Sequence, residues 1–166
     1  MNNTVGRQIL SLSQEQQDII VGCLLGDGRL ESRSIEDTAR LRIHHADSQK
    51  KYVLWKYKKF HEFVSRKPRH VYCGTYRKTG KKYYSWYFHT VTLLGLRELY
   101  REFYPISSKK VPMSISELLT PQALAVWLMD DGCNDGKSVI LNTQNFEYSD
   151  QLILMNVLVE KYGLKA

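Results

Sequence analysis

Two stretches of this chain are apolar at nearly every position and stop on the same acidic punctuation. The first, Ile20-Val21-Gly22-Cys23-Leu24-Leu25, runs into Gly26-Asp27-Gly28. The second, Leu124-Ala125-Val126-Trp127-Leu128-Met129, runs into Asp130-Asp131-Gly132. Ahead of the first, Ser13-Gln14-Glu15-Gln16 has the form of a capping box, with Ser13 as N-cap and Gln16 at N3. Ahead of the second, Thr120-Pro121 supplies an N-cap threonine and a proline at N1. The pattern predicts two buried helices, one ending near Leu25 and one near Asp130. A carboxylate at the end of a buried helix is costly unless it is paired or holds a cation. Two such helices can pack side by side and bring Asp27 and Asp131 together, where they repel unless a divalent metal sits between them. The repeat, 104 residues apart, predicts a metal site on an internal pseudo-twofold axis.

Between the two copies the periodicity changes from helical to alternating. Arg29 to Arg33 and Ala39 to His45 read as strands, with Leu30, Leu41 and Ile43 on one face and Arg29, Arg33, Arg40, Arg42 and His44 on the other. Ser48 opens a second helix to about Ser65, with Trp55, Phe60 and Phe63 as its core side. His70 to Tyr76 and Tyr83 to His89 form a hairpin around Arg77-Lys78-Thr79-Gly80. In its second strand Tyr84, Trp86 and Phe88 face the core, while Tyr83, Ser85, Tyr87 and His89 face out. Thr90 caps a third helix that ends near Tyr104-Pro105. After a linker containing Lys109-Lys110-Val111-Pro112, the second apolar helix leads to a turn at Asn134-Asp135-Gly136. A strand over Lys137 to Thr143 and a helix over Ser149 to Tyr162 follow.

Composition narrows the function. An apolar share of 43% suffices for a real core. No apolar run approaches the ~20 residues that span a bilayer, and the N-terminus lacks a signal-peptide core. Cys23, Cys73 and Cys133 neither frame disulfides nor show zinc spacing, so an intracellular setting is expected, bacterial cytoplasm or organelle matrix. The formal charge of +7 is unevenly placed. Ser48 to Lys82 carries 12 Lys and Arg against one acid, Glu62, which leaves −4 on the remainder. So concentrated a basic segment reads as a polyanion footprint, with a solvated helix face as the bland alternative. A P-loop is absent, and Asp131 to Asn142 is not an EF-hand loop.

The two motifs resemble those of the LAGLIDADG homing endonucleases, and specifically the two-repeat monomeric branch. The resemblance runs from about Leu12 to Leu164. Its most specific parts are Leu119-Thr120-Pro121 through Asp130-Asp131-Gly132 and the following Leu141-Asn142-Thr143-Gln144. It implies an α+β fold of αββαββα repeats duplicated about a pseudo-twofold axis. Residues 1–108 would be the first repeat, 109–118 the linker and 119–166 the second repeat. If the second mirrors the first, it is incomplete, without its second hairpin and final helix.

The resemblance also implies a function: sequence-specific hydrolysis of double-stranded DNA by a monomer built from an internal duplication. Asp27 and Asp131 would bind Mg²⁺ (or Mn²⁺), which would polarise the scissile phosphate and help generate hydroxide. Lys109, three residues before Pro112, matches a basic residue near the attacking water, with Lys110 as its neighbouring alternative. Gln144 matches a polar strand residue beside the site, and His44 or His45 is its counterpart in the first repeat. Arg29, Arg33, Arg40, Arg42 and His44 would read the major groove. Arg77, Lys78, Lys81 and Lys82 would reach farther along the duplex, while Lys50, Lys58 and Lys67 would contact phosphates. Two other functions fit the same residues. One is a truncated DNA-binding module that cuts poorly, and the other is an intron maturase that binds RNA.

Overall fold

The computed structural model describes residues 11–32, 38–106 and 108–165. Its elements run α1 (Gln14–Leu25), β1 (Arg29–Glu31), β2 (Arg40–Ala46), α2 (Lys50–Phe60), β3 (Arg69–Tyr76), β4 (Lys81–His89), α3 (Arg97–Phe103), α4 (Ile115–Leu118), α5 (Pro121–Asp131), β5 (Gly132–Asn134), β6 (Val139–Leu141) and α6 (Tyr148–Tyr162). This is an α+β fold. Both halves open with the order α-β-β-α. Among the described residues, no helix is long and apolar enough to cross a membrane.

The helix starts follow from local chemistry. The Gln16 amide donates to the Ser13 hydroxyl at 3.2 Å, and the Ser13 amide donates back to the Gln16 side chain at 2.9 Å. Thr120 accepts from the Ala123 amide at 3.1 Å, with Pro121 in the first turn. Each cap satisfies amides that a helix start leaves without partners. From Ile19 to Leu25, α1 is buried at every position, so it has no solvent face.

Helices α1 and α5 pack so closely that side chains are excluded at two points. A Cβ on Gly22 would run into the Ala123 carbonyl oxygen and lie 2.6 Å from Val126 Cβ. A Cβ on Gly26 would collide with that of Asp130. Gly22 and Gly26, one turn apart, therefore let the two motif helices meet backbone to backbone.

A four-stranded antiparallel sheet, ordered β1-β2-β4-β3, lies over the first half. Leu41 and Ile43 of β2 and Phe88 of β4 point inward to the core, where Val53, Lys56 and Phe60 of α2 cover them. The second sheet pairs β5 with β6. In β3 the register slips between Tyr72 and Gly74, and Gly74 takes φ +139°, a conformation that only glycine adopts readily.

Several expectations are corrected by tertiary context. Tyr84 lies on the inner side of β4 but is exposed, because the hairpin runs out beyond α2; there it stacks on His70 at 4.9 Å. Ser85, expected to face out, is buried on the outer side between His44 Nε2 at 2.6 Å and Cys73 Sγ at 2.9 Å. Thr90 caps no helix; its hydroxyl accepts from the Leu41 amide at 3.0 Å and closes the sheet end. The second-half strand is only Val139–Leu141, and α4 fills part of the linker. Arg33 lies outside the described residues.

Candidate functional site

Both acidic endings stand at the junction of α1 and α5. Asp27 follows the last turn of α1, and Asp131 is the last residue of α5. The Asp27 side chain is half exposed, and His45 Nδ1 lies 3.3 Å from its Oδ2. His45, offset by desolvation, holds the Asp27 carboxyl below its ordinary range, with smaller help from Lys56 and Lys109. Asp131 shifts the other way. Burial raises it, and the charges of Asp27 and then Asp130 add to the rise. Gly26, which precedes Asp27, packs against Asp130, which precedes Asp131, so the two carboxylates border one junction.

Lys109, and not Lys110, belongs to that junction. Lys109 Nζ donates to the Gly26 carbonyl at 2.9 Å and to the Gly28 carbonyl at 3.3 Å, so it brackets Asp27. Burial lowers its ammonium against the opposing pull of Asp131, Asp27 and Asp130. Lys110 instead pairs with Glu147 at 2.5 Å on the surface. Gln144 is exposed on the loop after β6, with its Nε2 3.5 Å from Asn142 Oδ1. Asn142 in turn donates to the Asp131 carbonyl at 2.8 Å. No contact carries Gln144 to the carboxylates in this arrangement.

Behind Asp27 and Asp131 lies a buried polar cluster. Lys56 Nζ donates to Asp130 Oδ1 at 2.6 Å and lies 3.0 Å from His45 Nε2. The Tyr52 hydroxyl donates to the same Asp130 oxygen at 2.7 Å, and burial followed by the Asp130 charge raises the phenol. An ammonium can only donate, so His45 Nε2 is the acceptor and the imidazole proton sits on Nδ1, toward Asp27. The Asp27 contact is bent, which leaves His45 Nδ1 without an aligned acceptor; Asp130 Oδ2 is likewise buried without a partner. Cys23, also beside this cluster, is pushed by burial up to about 12 and is inert as a thiol.

The outer face of the large sheet carries the basic and aromatic groups. His44 of β2 is exposed beside Tyr87 at 5.9 Å, and burial, with Arg42 next, lowers its imidazole pKa. Arg42 and Arg69 lie over the Tyr87 ring at 5.7 and 5.9 Å. Arg77, Lys78, Lys81 and Lys82 are all exposed at the β3–β4 tip. Arg29, Arg40 and Arg42 do not stand free: all three converge on one carboxylate, Glu31.

The profile of the LAGLIDADG DNA endonuclease family matches residues 17–166. The chain belongs to that family. DNA endonuclease I-ChuI of Chlamydomonas applanata is 30% identical over 93% of this chain and 76% of its own length. Cytochrome b mRNA maturase bI2 of Saccharomyces cerevisiae is 31% identical over all of this chain but only 40% of the maturase. Among solved structures, the homing endonuclease I-WcaI bound to its DNA recognition sequence superposes with a TM-score of 0.84. The identity is 25%, over 95% of this chain and 72% of that one.

Within a LAGLIDADG fold the Asp27–Asp131 pair suits a hard cation that shares its ligands with a phosphate. Among the described residues, no group of three or more His, Cys, Asp or Glu forms a self-contained cage. Mg²⁺ does not need one, because it keeps waters and takes one or two carboxylates plus substrate oxygens. Burial and the neighbouring Asp27 and Asp130 charges raise the Asp131 carboxyl, and a bound cation would offset both.

Sequence reasoning missed Tyr52, Lys56, Asp130 and Glu31. For Lys56 a signal was present. It sits between Val53 and Phe60 at spacings of three and four, on the buried stripe of α2. A lysine there needs a buried acid.

Proposed function

We propose that this chain is a sequence-specific endonuclease that hydrolyses double-stranded DNA with a divalent metal, Mg²⁺ or Mn²⁺, held by Asp27 and Asp131. The observation that carries this reading is the convergence of two helix-ending carboxylates with Lys109, in a chain whose sheet presents a face of arginines and tyrosines. When bound, the metal supplies charge to the scissile phosphate and a hydroxide near neutral pH. His45 supports the Asp27 carboxylate from 3.3 Å through the field of its Nδ1–H, without an aligned hydrogen bond. Lys109, fixed by the Gly26 and Gly28 carbonyls, sets a positive charge where a phosphate oxyanion gains charge. Arg29, Arg40, Arg42 and His44 select bases, while Arg77, Lys78, Lys81 and Lys82 hold phosphates. Gln144 reaches the site only if its loop turns inward on DNA.

The same reading takes residues 1–108 and 119–166 as two copies of one repeat joined by 109–118, so that one chain forms the site without a partner. It places the chain inside the cell, with DNA. The test is selection from a pool of randomised DNA duplexes, which should return one preferred sequence. A pool that returns no preferred sequence overturns the reading.

A second reading follows from the maturase relatives, which match nearly all of this chain. Here the basic surface binds intron RNA. Competition decides between them: the preferred duplex, and not structured intron RNA, should displace bound duplex at equal concentration.

A further inference from the structure

Glu31 sits in a block of four side chains on the outer face of the sheet. In the β1–β2 pairing Arg29 stands opposite Arg42 and Glu31 stands opposite Arg40. Two arginines directly across a ladder repel, so the block would splay without its one acid. Glu31 Oε1 accepts from Arg29 Nε at 3.0 Å and Nη2 at 2.7 Å. Its Oε2 accepts from Arg40 Nε at 2.9 Å and Nη2 at 2.7 Å. Arg42 Nη1 adds a longer contact at 3.3 Å. The Glu31 side chain is 24% exposed, so these bonds are only partly screened.

The edges used matter. Arg29 and Arg40 each give Glu31 their side-on edge, Nε with Nη2. The end-on edge, Nη1 with the outer hydrogen of Nη2, is not used by Glu31. That edge is also a fork, and it matches the O6 and N7 acceptors of guanine. A guanidinium held on one edge has lost its rotamer freedom before a base arrives, which lowers the ordering cost of recognition. It is also less available to swing onto a phosphate. Burial pulls the carboxyl up, but hydrogen bonds from Arg40, Arg29 and Arg42 outweigh it and hold it at about 2. The holder is therefore ionised at any working pH.

We propose that Glu31 is a specificity-determining residue. It holds Arg29 and Arg40 so that their end-on edges read two guanines, and it exchanges phosphate attraction for base selection. This rests on the DNA-binding reading above.

The experiment is selection from a fully randomised duplex pool with the wild type, Glu31→Gln and Arg40→Lys. Binding of the winning duplex and of an unselected duplex is then measured across a salt series. The wild type should fix guanine at two nearby positions. Glu31→Gln should lose about 5- to 150-fold of the preference at those positions only, the span of one good bidentate pair. Its affinity for the unselected duplex should rise, with a salt slope steeper by about one unit as an arginine moves to phosphate. Arg40→Lys keeps the charge but not the fork, and should lose one of the two guanines with Glu31 in place. Equal base preference in wild type and Glu31→Gln overturns the role of Glu31 and leaves the nuclease reading intact. A wild type that selects no bases overturns both.

Discussion

Lys56 Nζ lies 2.6 Å from Asp130 Oδ1, and neither side chain is exposed to solvent. The two residues are 74 positions apart, one on the helix beneath the sheet and one on the second motif helix. The pair thus ties the first half of the chain to the second, directly behind Asp27 and Asp131. Removing one partner leaves an uncompensated buried charge. Lys56→Met should therefore lower stability by ~3–5 kcal/mol in urea unfolding. Lys56→Met combined with Asp130→Leu should recover most of that loss. A single variant within ~1 kcal/mol of wild type would show that water reaches the pair.

Gly22 tests the approach of the two motif helices. Alanine in mid-helix normally gains about 1 kcal/mol over glycine. At Gly22 the added methyl meets the Ala123 carbonyl and the Val126 side chain, so Gly22→Ala should instead destabilise by ~1–3 kcal/mol. A stabilised variant would mean that the helices stand farther apart.

These pairs mark the limit of what the sequence shows. Starts such as Ser13-x-x-Gln16 and Thr120-Pro121 were legible because a cap and its helix are neighbours in the chain. The runs into Asp27 and Asp131 were legible because nearly every position in them is apolar, and the basic hairpin by its alternation. Alternation gives the side of a strand but not how far a covering helix extends, which leaves Tyr84 exposed. Nor does it give which cross-strand neighbours close over a small side chain, as His44 and Cys73 do over Ser85. Lys56 with Asp130, and Glu31 with its three arginines, depend on strand register and helix crossing, which no local pattern carries. The resemblance already put Lys109 ahead of Lys110, but its hold on the Gly26 and Gly28 carbonyls is a contact no local pattern carries.

The Glu31 cluster gives a pH dependence with a definite sign. The folded carboxyl sits at about 2, below its ordinary 4.5, so its stabilisation is complete above about 4.5 and fades as pH falls toward about 2. Partly screened pairs contribute ~0.2–1 kcal/mol each, so the loss should be about 1 kcal/mol. The difference in stability between wild type and Glu31→Gln, followed by urea unfolding from pH 6 downward, should shrink across that window. A constant difference would remove the ion pairs as its cause.

The hairpin tip should supply affinity without selectivity. Replacing Arg77, Lys78, Lys81 and Lys82 with alanine should weaken binding to selected and unselected duplexes alike. The salt slope should flatten by up to about 0.9 per lost phosphate contact. An unchanged slope would place the footprint elsewhere.

The most direct measurement is cleavage of a supercoiled plasmid carrying the selected duplex, with Mg²⁺ present or chelated. The wild type should cut at the selected site only with metal. Asp27→Asn and Asp131→Asn should bind the site within a few-fold of wild type and lose at least about 100-fold in cleavage rate. Cleavage by both asparagine variants at the wild-type rate, or an undiminished rate with the metal chelated, would contradict a metal site at Asp27 and Asp131.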